Sequence, residues 1–137
     1  MAAKLALLVL CGSLAICSAA QPSSSADSEW KVPPEAAARK NPLRADAAVV
    51  AGGKKLFLRE CAQCHGERGE GGKRKRAPDL TRPEVQLQSD GALFWKITNG
   101  NPRRSMPPWG RLPELQRWQL VLFLRTLSAE PGAPAAR

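Results

Sequence analysis

The chain is poor in the side chains from which most chemical sites are built. Its 137 residues hold one histidine, two methionines and four cysteines. With one histidine, no pair of imidazoles can bracket a metal. With no cysteine pair beyond Cys61 and Cys64 outside the first 20 residues, a four-ligand zinc site cannot be completed. There is no internal repeat, no phosphate-cradling glycine loop, and no nucleophile paired with a general base. Enzymatic catalysis by side chains alone is therefore not expected. No apolar run is long enough for an ordinary membrane span either, since the uncharged stretch from Leu5 to Ala20 falls short of about 20 residues.

That stretch instead reads as a secretory signal, residues 1–20. Lys4 supplies the positive start, an apolar core follows, and Ser18-Ala19-Ala20 offers small residues for cleavage before Gln21. The bulky Ile16 before Cys17 argues against lipid anchoring at that cysteine. Cleavage removes Cys11, Cys17 and Met1, so the mature chain keeps only Cys61, Cys64, His65 and Met106 of these types. Two cysteines three apart in an exported chain do not make a disulfide scaffold.

The remaining pair stands in Cys61-Ala62-Gln63-Cys64-His65. On one turn of helix both sulfurs point to the same side, where each can add to a vinyl group of one haem. The adjacent imidazole can ligate the iron, and this spacing is what covalent c-type haem attachment requires. A redox dithiol is the rival use of the motif, but it calls for a βαβ setting, and no strand pattern is evident nearby. Export fits the haem reading.

The mature chain divides into an arm rich in proline, serine and alanine (21–45), a domain (46–128) and a tail (129–137). The domain reads as helices joined by loops, an all-α fold of three to five short helices around one covalently bound haem. A helix over 47–60 places Val50, Gly53, Phe57, Cys61 and Cys64 on one stripe. Glycine inside a helix costs about 1 kcal/mol relative to alanine. Gly53 on the buried stripe thus signals a close crossing, with the apolar helix over 113–127 as the expected partner. That last helix carries Leu115, Trp118, Val121, Leu122, Phe123, Leu124 and Leu127. A third helix over 90–98 carries Leu93, Phe94 and Ile97, capped by Asp90 or Ser89. Residues 66–83, full of glycine, proline and charge, should have little regular structure. In the arm, a short helix over 35–40 could start with Pro34 in its first position, and Trp30 could act as an anchor. A domain of this size has a thin core, so the apoprotein is expected to be largely unfolded.

With His65 used as the proximal ligand, Met106 is the candidate for the second. Pro107 and Pro108 stiffen its loop, and a soft thioether favours ferrous iron and raises the reduction potential. Pro78 could receive the Nδ1–H of His65 on its carbonyl and so fix the tautomer. Trp109 could donate its indole N–H to a haem propionate.

In these ordered segments the chain resembles the small class I monohaem c-type cytochromes of bacteria. Gly53-Lys-Lys-Leu-Phe57 before Cys61-Ala-Gln-Cys-His65-Gly is similar to the family's first helix and haem motif. Ala77-Pro78-Asp79-Leu80 is similar to the segment whose proline backs the proximal histidine, and it places Leu80 among the haem-binding residues. Ile97-Thr-Asn99-Gly100 followed by Met106-Pro107 resembles the approach to the distal methionine, and 118–127 resembles the last helix, with Phe123 where an aromatic meets the first. The resemblance implies a cytochrome c-like fold around one haem c, with electron transfer as the activity and His65 and Met106 as iron ligands. The basic run Lys73-Arg74-Lys75-Arg76 departs from the glycine and acidic residues common there.

The formal charge of +9 falls to +8 when Lys4 leaves with the leader, and haem propionates lower it further. Export and the absence of interleaved aromatics argue against nucleic acid as the target of the basic run. The run, with Arg103 and Arg104, instead suggests a docking face for acidic redox proteins beside the haem edge. The expectation is a monomeric, periplasmic or otherwise exported electron carrier with no membrane span after signal cleavage. Two alternatives stand beside it: a haem enzyme or gas sensor with an open distal site, and a thiol-disulfide oxidoreductase.

Overall fold

A computed structural model describes residues 30–72 and 77–128. The leader, the first part of the arm (21–29), the run Lys73–Arg76 and the tail lie outside the described residues. Six α-helical segments occur in chain order, α1 (Pro34–Ala37), α2 (Ala47–Glu60), α3 (Ala62–His65), α4 (Pro83–Gln86), α5 (Asp90–Asn99) and α6 (Glu114–Thr126). A 3-10 turn over Pro102–Arg104 lies between α5 and α6. The fold is all-α among the described residues, which contain only two isolated β-bridges, Gly72 with Ala77 and Asn101 with Met106.

The three long helices begin and meet for identifiable reasons. Asp46 caps α2 by accepting the Val49 N–H at 2.8 Å. Ser89, not Asp90, caps α5, taking the Ala92 N–H at 3.1 Å. Asp90 is committed elsewhere, to the guanidinium of Arg125. Helices α2 and α6 cross at Gly53, where an added Cβ would stand 2.1 Å from the Gln119 carbonyl oxygen. The two backbones can approach this closely only because that side chain is missing. One turn on, the Phe57 and Phe123 rings meet with centroids 5.1 Å apart.

Helix α5 closes the core from the other side. Phe94 stacks on Trp118 with centroids 4.0 Å apart and planes 18° apart. Around these rings Leu56, Leu93, Ile97, Leu120, Val121 and Leu124 are buried. The run of apolar residues in the second half of α6 is thus covered, but Leu115 in its first turn is 58 % exposed and not part of the core.

The arm is laid against the domain rather than left as a spacer. Its helix α1 is a single turn, shorter than the expected 35–40, and starts with Pro34 in its first position. A Cβ on Gly91 of α5 would collide with the carbonyls of Ala36, Ala37 and Arg39, so the arm's backbone runs directly over α5. Arg125 secures the join between α4 and α5. Its guanidinium donates to the carbonyls of Gln86 and Gln88 and to the Asp90 carboxylate, all between 2.6 and 2.9 Å.

Candidate functional site

Cys61 ends α2 with φ −116°, and α3 restarts at Ala62. The break keeps the Cys61 carbonyl in service, because it accepts the N–H groups of both Cys64 and His65 at 3.1 Å. Both cysteines are free thiols and half-buried. Burial pushes the Cys61 thiol up to about 12, with the Glu60 carboxylate and Cys64 adding to the effect. A redox dithiol needs the opposite, a thiol held low so that it is present as thiolate. Cys61 is therefore a protonated sulfur in an apolar setting, poorly suited to disulfide exchange.

His65 follows on the same turn. Its Nδ1 lies 3.2 Å from the Pro78 carbonyl oxygen, so Nδ1 carries the proton and donates it there. Burial lowers the imidazole pKa below its ordinary value, against the smaller opposing effect of the Pro78 carbonyl. The neutral ring is then the favoured form, with the lone pair on Nε2 left for a metal.

The loop after His65 is held against this turn by its backbone. Gly71 donates to the His65 carbonyl at 2.7 Å, and a Cβ on Gly72 would stand 2.3 Å from the Cys64 carbonyl oxygen. Leu80 donates to the Gly69 carbonyl at 2.7 Å. Asp79 folds the next turn, accepting the N–H and hydroxyl of Thr81, and these bonds hold its carboxyl below the usual range. The Gln86 amide then donates to both the Leu80 and Leu124 carbonyls, which ties the loop to α6. Pro78 thus meets His65 through its carbonyl, while Leu80 is bonded to Gly69 in the loop that follows.

Met106 and Trp109 form a second group at the end of α5. Met106 exchanges both backbone hydrogen bonds with Asn101, at 2.8 and 3.0 Å. The loop between them closes through the 3-10 turn and a left-handed Ser105, φ 59°. Trp109 donates its backbone N–H to the Ile97 carbonyl at 3.0 Å and is buried, with the Arg111 guanidinium 4.1 Å from its ring centroid. Arg103 and Arg104 stand exposed on the 3-10 turn, within three residues of Met106. Lys73, Arg74, Lys75 and Arg76 lie outside the described residues.

The donor set fits a covalently attached haem. Two free thiols flank one turn, a neutral imidazole follows with its far nitrogen available, and a thioether sits in a loop closed by backbone bonds. Cys61, Ala62, Leu80 and Met106 all pack against the edge of the core while remaining half-buried. Partly exposed apolar side chains of this kind, here termed the rim, suit a flat apolar group.

Sequence reasoning named Trp30 as an anchor without naming what it holds, and made no use of Gly91. Trp30 donates its indole N–H to the Gly100 carbonyl at 2.8 Å, and Gly100 precedes the Met106 loop with φ +63°. Gly91 was a usable signal for the arm, since a glycine on the buried face of a helix marks a close crossing. Nothing in the pattern around Trp30 names its partner 70 residues away.

Residues 48–124 match the family model described as cytochrome C oxidase, cbb3-type, subunit III. The chain is 36 % identical to cytochrome c55X of Stutzerimonas stutzeri, over 44 % of this chain and 51 % of that protein. It is 34 % identical to the cbb3-type cytochrome c oxidase subunit FixP of Rhizobium etli, over 60 % of this chain and 29 % of that one. Cytochrome c6 of Rippkaea orientalis is 35 % identical over 48 % of this chain and 59 % of its own length. The chain thus spans from under a third to under two thirds of the length of these relatives. Among solved structures, cytochrome CL of the marine methylotroph Methylophaga aminisulfidivorans superposes with a TM-score of 0.51 at 26 % identity. That likeness covers 59 % of this chain and 56 % of the other.

Proposed function

Because the chain belongs to this family of c-type cytochrome domains, we propose that it is an exported, monomeric electron carrier with one haem c bound through Cys61 and Cys64. His65 is the proximal iron ligand and Met106 the distal one. The observation that carries this reading is the His65–Pro78 hydrogen bond beside two free, half-buried thiols. It fixes the tautomer that leaves Nε2 for iron and makes the ring a better donor.

When bound, the haem supplies one-electron ferrous–ferric chemistry. The chain's residues set the terms of that chemistry. Cys61 and Cys64 provide two thioether anchors from one turn. The Asn101–Met106 bridge holds the Met106 backbone, and its soft sulfur favours the ferrous state. Half-buried Leu80 and Ala62 keep water from the rim. Pro78 and Trp109 complete the set, Pro78 by orienting His65 and Trp109 by donating its indole N–H to a propionate. The exposed Arg103 and Arg104 make the Met106 loop basic, and together with the basic composition of the run 73–76 in the sequence they favour acidic redox proteins as partners.

Among the described residues no helix is long and apolar enough to cross a membrane. The signal over 1–20 is read from the sequence and sends the chain to the periplasm or beyond.

A pyridine haemochrome spectrum of protein made with the c-type maturation machinery tests the haem assignment. Two thioether links give the spectrum of a fully saturated haem c, whereas free, alkylatable Cys61 and Cys64 would overturn it. The near-infrared methionine-to-ferric charge-transfer band tests Met106. Its absence together with fast carbon monoxide binding would favour an open distal site. A second reading is suggested by the FixP relatives, which are by name oxidase subunits. Here the same haem would relay electrons inside a membrane complex, and copurification with oxidase subunits from the native membrane would support it over a free carrier.

A further inference from the structure

The arm before α2 precedes the residues matched by the family, which begin at 48, and the electron-carrier role as stated makes no use of it. From Trp30 onward it is nevertheless fastened to the domain. Near α1, the Ser89 hydroxyl donates to the Ala37 carbonyl at 2.6 Å, and the Asn41 amide donates to the Trp118 carbonyl at 3.1 Å. Before α1, Trp30 donates to the Gly100 carbonyl at 2.8 Å, with the Lys96 ammonium 4.7 Å from its ring centroid.

The last of these attachments falls on a particular peptide unit. The Gly100 carbonyl and the Asn101 N–H belong to one planar amide, so whatever fixes one fixes the other. That Asn101 N–H donates to the Met106 carbonyl at 2.8 Å, and the Asn101 carbonyl receives the Met106 N–H at 3.0 Å. The amide plane is therefore held from both sides, by Trp30 on its oxygen and by Met106 on its hydrogen. A donor on the oxygen also polarises the amide and strengthens the N–H bond on the other side. The contact is close enough that a Cβ on Gly100 would stand 2.6 Å from the Met106 carbonyl oxygen.

We infer that Trp30 is a positioning residue for Met106: through its indole N–H the arm locks the Gly100–Asn101 peptide and so holds the methionine loop on the domain. The inference rests on the reading of Met106 as the distal ligand. Its consequence is that loss of the indole N–H weakens thioether ligation without altering the haem's attachment or its proximal side.

The test is an imidazole titration of the full-length ferric holoprotein, followed by loss of the near-infrared methionine band. Trp30→Phe keeps an aromatic ring beneath Lys96 and removes the indole N–H together with part of the ring's bulk. Its apparent imidazole affinity should rise about fivefold, the factor one neutral hydrogen bond typically supplies, and its reduction potential should fall. Ser89→Ala removes both the arm's hydrogen bond at Ala37 and the cap of α5, and so costs thermal stability, but its imidazole affinity should match wild type. Wild-type affinity in Trp30→Phe, or an equal rise in Ser89→Ala, overturns the inference while leaving Met106 as ligand. A wild-type ferric protein with no methionine band overturns the ligand reading and the inference with it. Hydrogen exchange in the wild-type protein is a second readout that needs no variant. The Asn101 and Met106 amides should exchange as slowly as those of α5, and exchange at the rate of exposed loops overturns the inference.

Discussion

The α2–α5–α6 junction and the rim around His65 and Met106 solve opposite problems with the same chain. At the junction the protein finishes its own interior. Phe57 is 1 % exposed and Val121 fully buried, and stacked rings fill the space between α5 and α6. At the rim the side chains are apolar but half-covered, and order comes from backbone hydrogen bonds and left-handed glycines at 66, 69, 71 and 100. One region is complete as protein, while the other leaves apolar side chains partly open, where the proposed haem would be placed. Stability and function are thus separated in space, and the two regions should respond differently to perturbation.

The largest expected effect comes from withholding the group that the rim fits. The Cys61→Ala, Cys64→Ala double variant should lose most of its far-ultraviolet helicity, because a domain of about 80 residues has little core to spare. Native-like helicity in that variant would instead show that the sealed junction folds by itself. Next is the junction's own weak point. Gly53→Ala drives a Cβ to 2.1 Å from the Gln119 carbonyl, and overpacking of this kind costs about 3 kcal/mol. Thermal unfolding of the holoprotein would register that loss, with the haem spectrum of the folded fraction unchanged.

Met106→Ala should do the reverse. It should abolish the near-infrared band, lower the reduction potential and open the iron to carbon monoxide, while barely moving the unfolding temperature. A large loss of stability instead would make Met106 a packing residue. The smallest effect belongs to the exposed Arg39–Glu114 pair. Bonds from Arg39 and Trp118 hold the Glu114 carboxyl below its ordinary value, so its contribution is present above that value and disappears as pH falls through the lowered one. Arg39→Gln should flatten the acid limb of stability slightly, as seen in urea unfolding across pH 3 to 6.

The three long helices were legible because each is long enough to show its period, and the α2–α6 crossing because Gly53 sits on a buried stripe. The cysteine–histidine turn and the proline opposite His65 were legible from order along the chain. What escaped notice has a common cause. Helices α3 and α4 are single turns with no period to read. The path of the arm depends on bonds spanning 52 to 77 residues, such as Asn41 to Trp118 and Ser89 to Ala37, which no local pattern encodes. Leu115 looked like core as one of the apolar residues of α6, yet it lies in the first turn, before the half that is apolar nearly all round, and is exposed.

The Arg125 guanidinium also has a kinetic meaning. One planar fork holds the Gln86 and Gln88 carbonyls and the Asp90 carboxylate, so none of these can leave without disturbing bonds to the others. The end of α4, the start of α5 and the last turn of α6 should therefore open together, as one cooperative unit in native-state exchange. A lysine in its place offers a point charge and no fork, and would let that corner fray one strand of chain at a time.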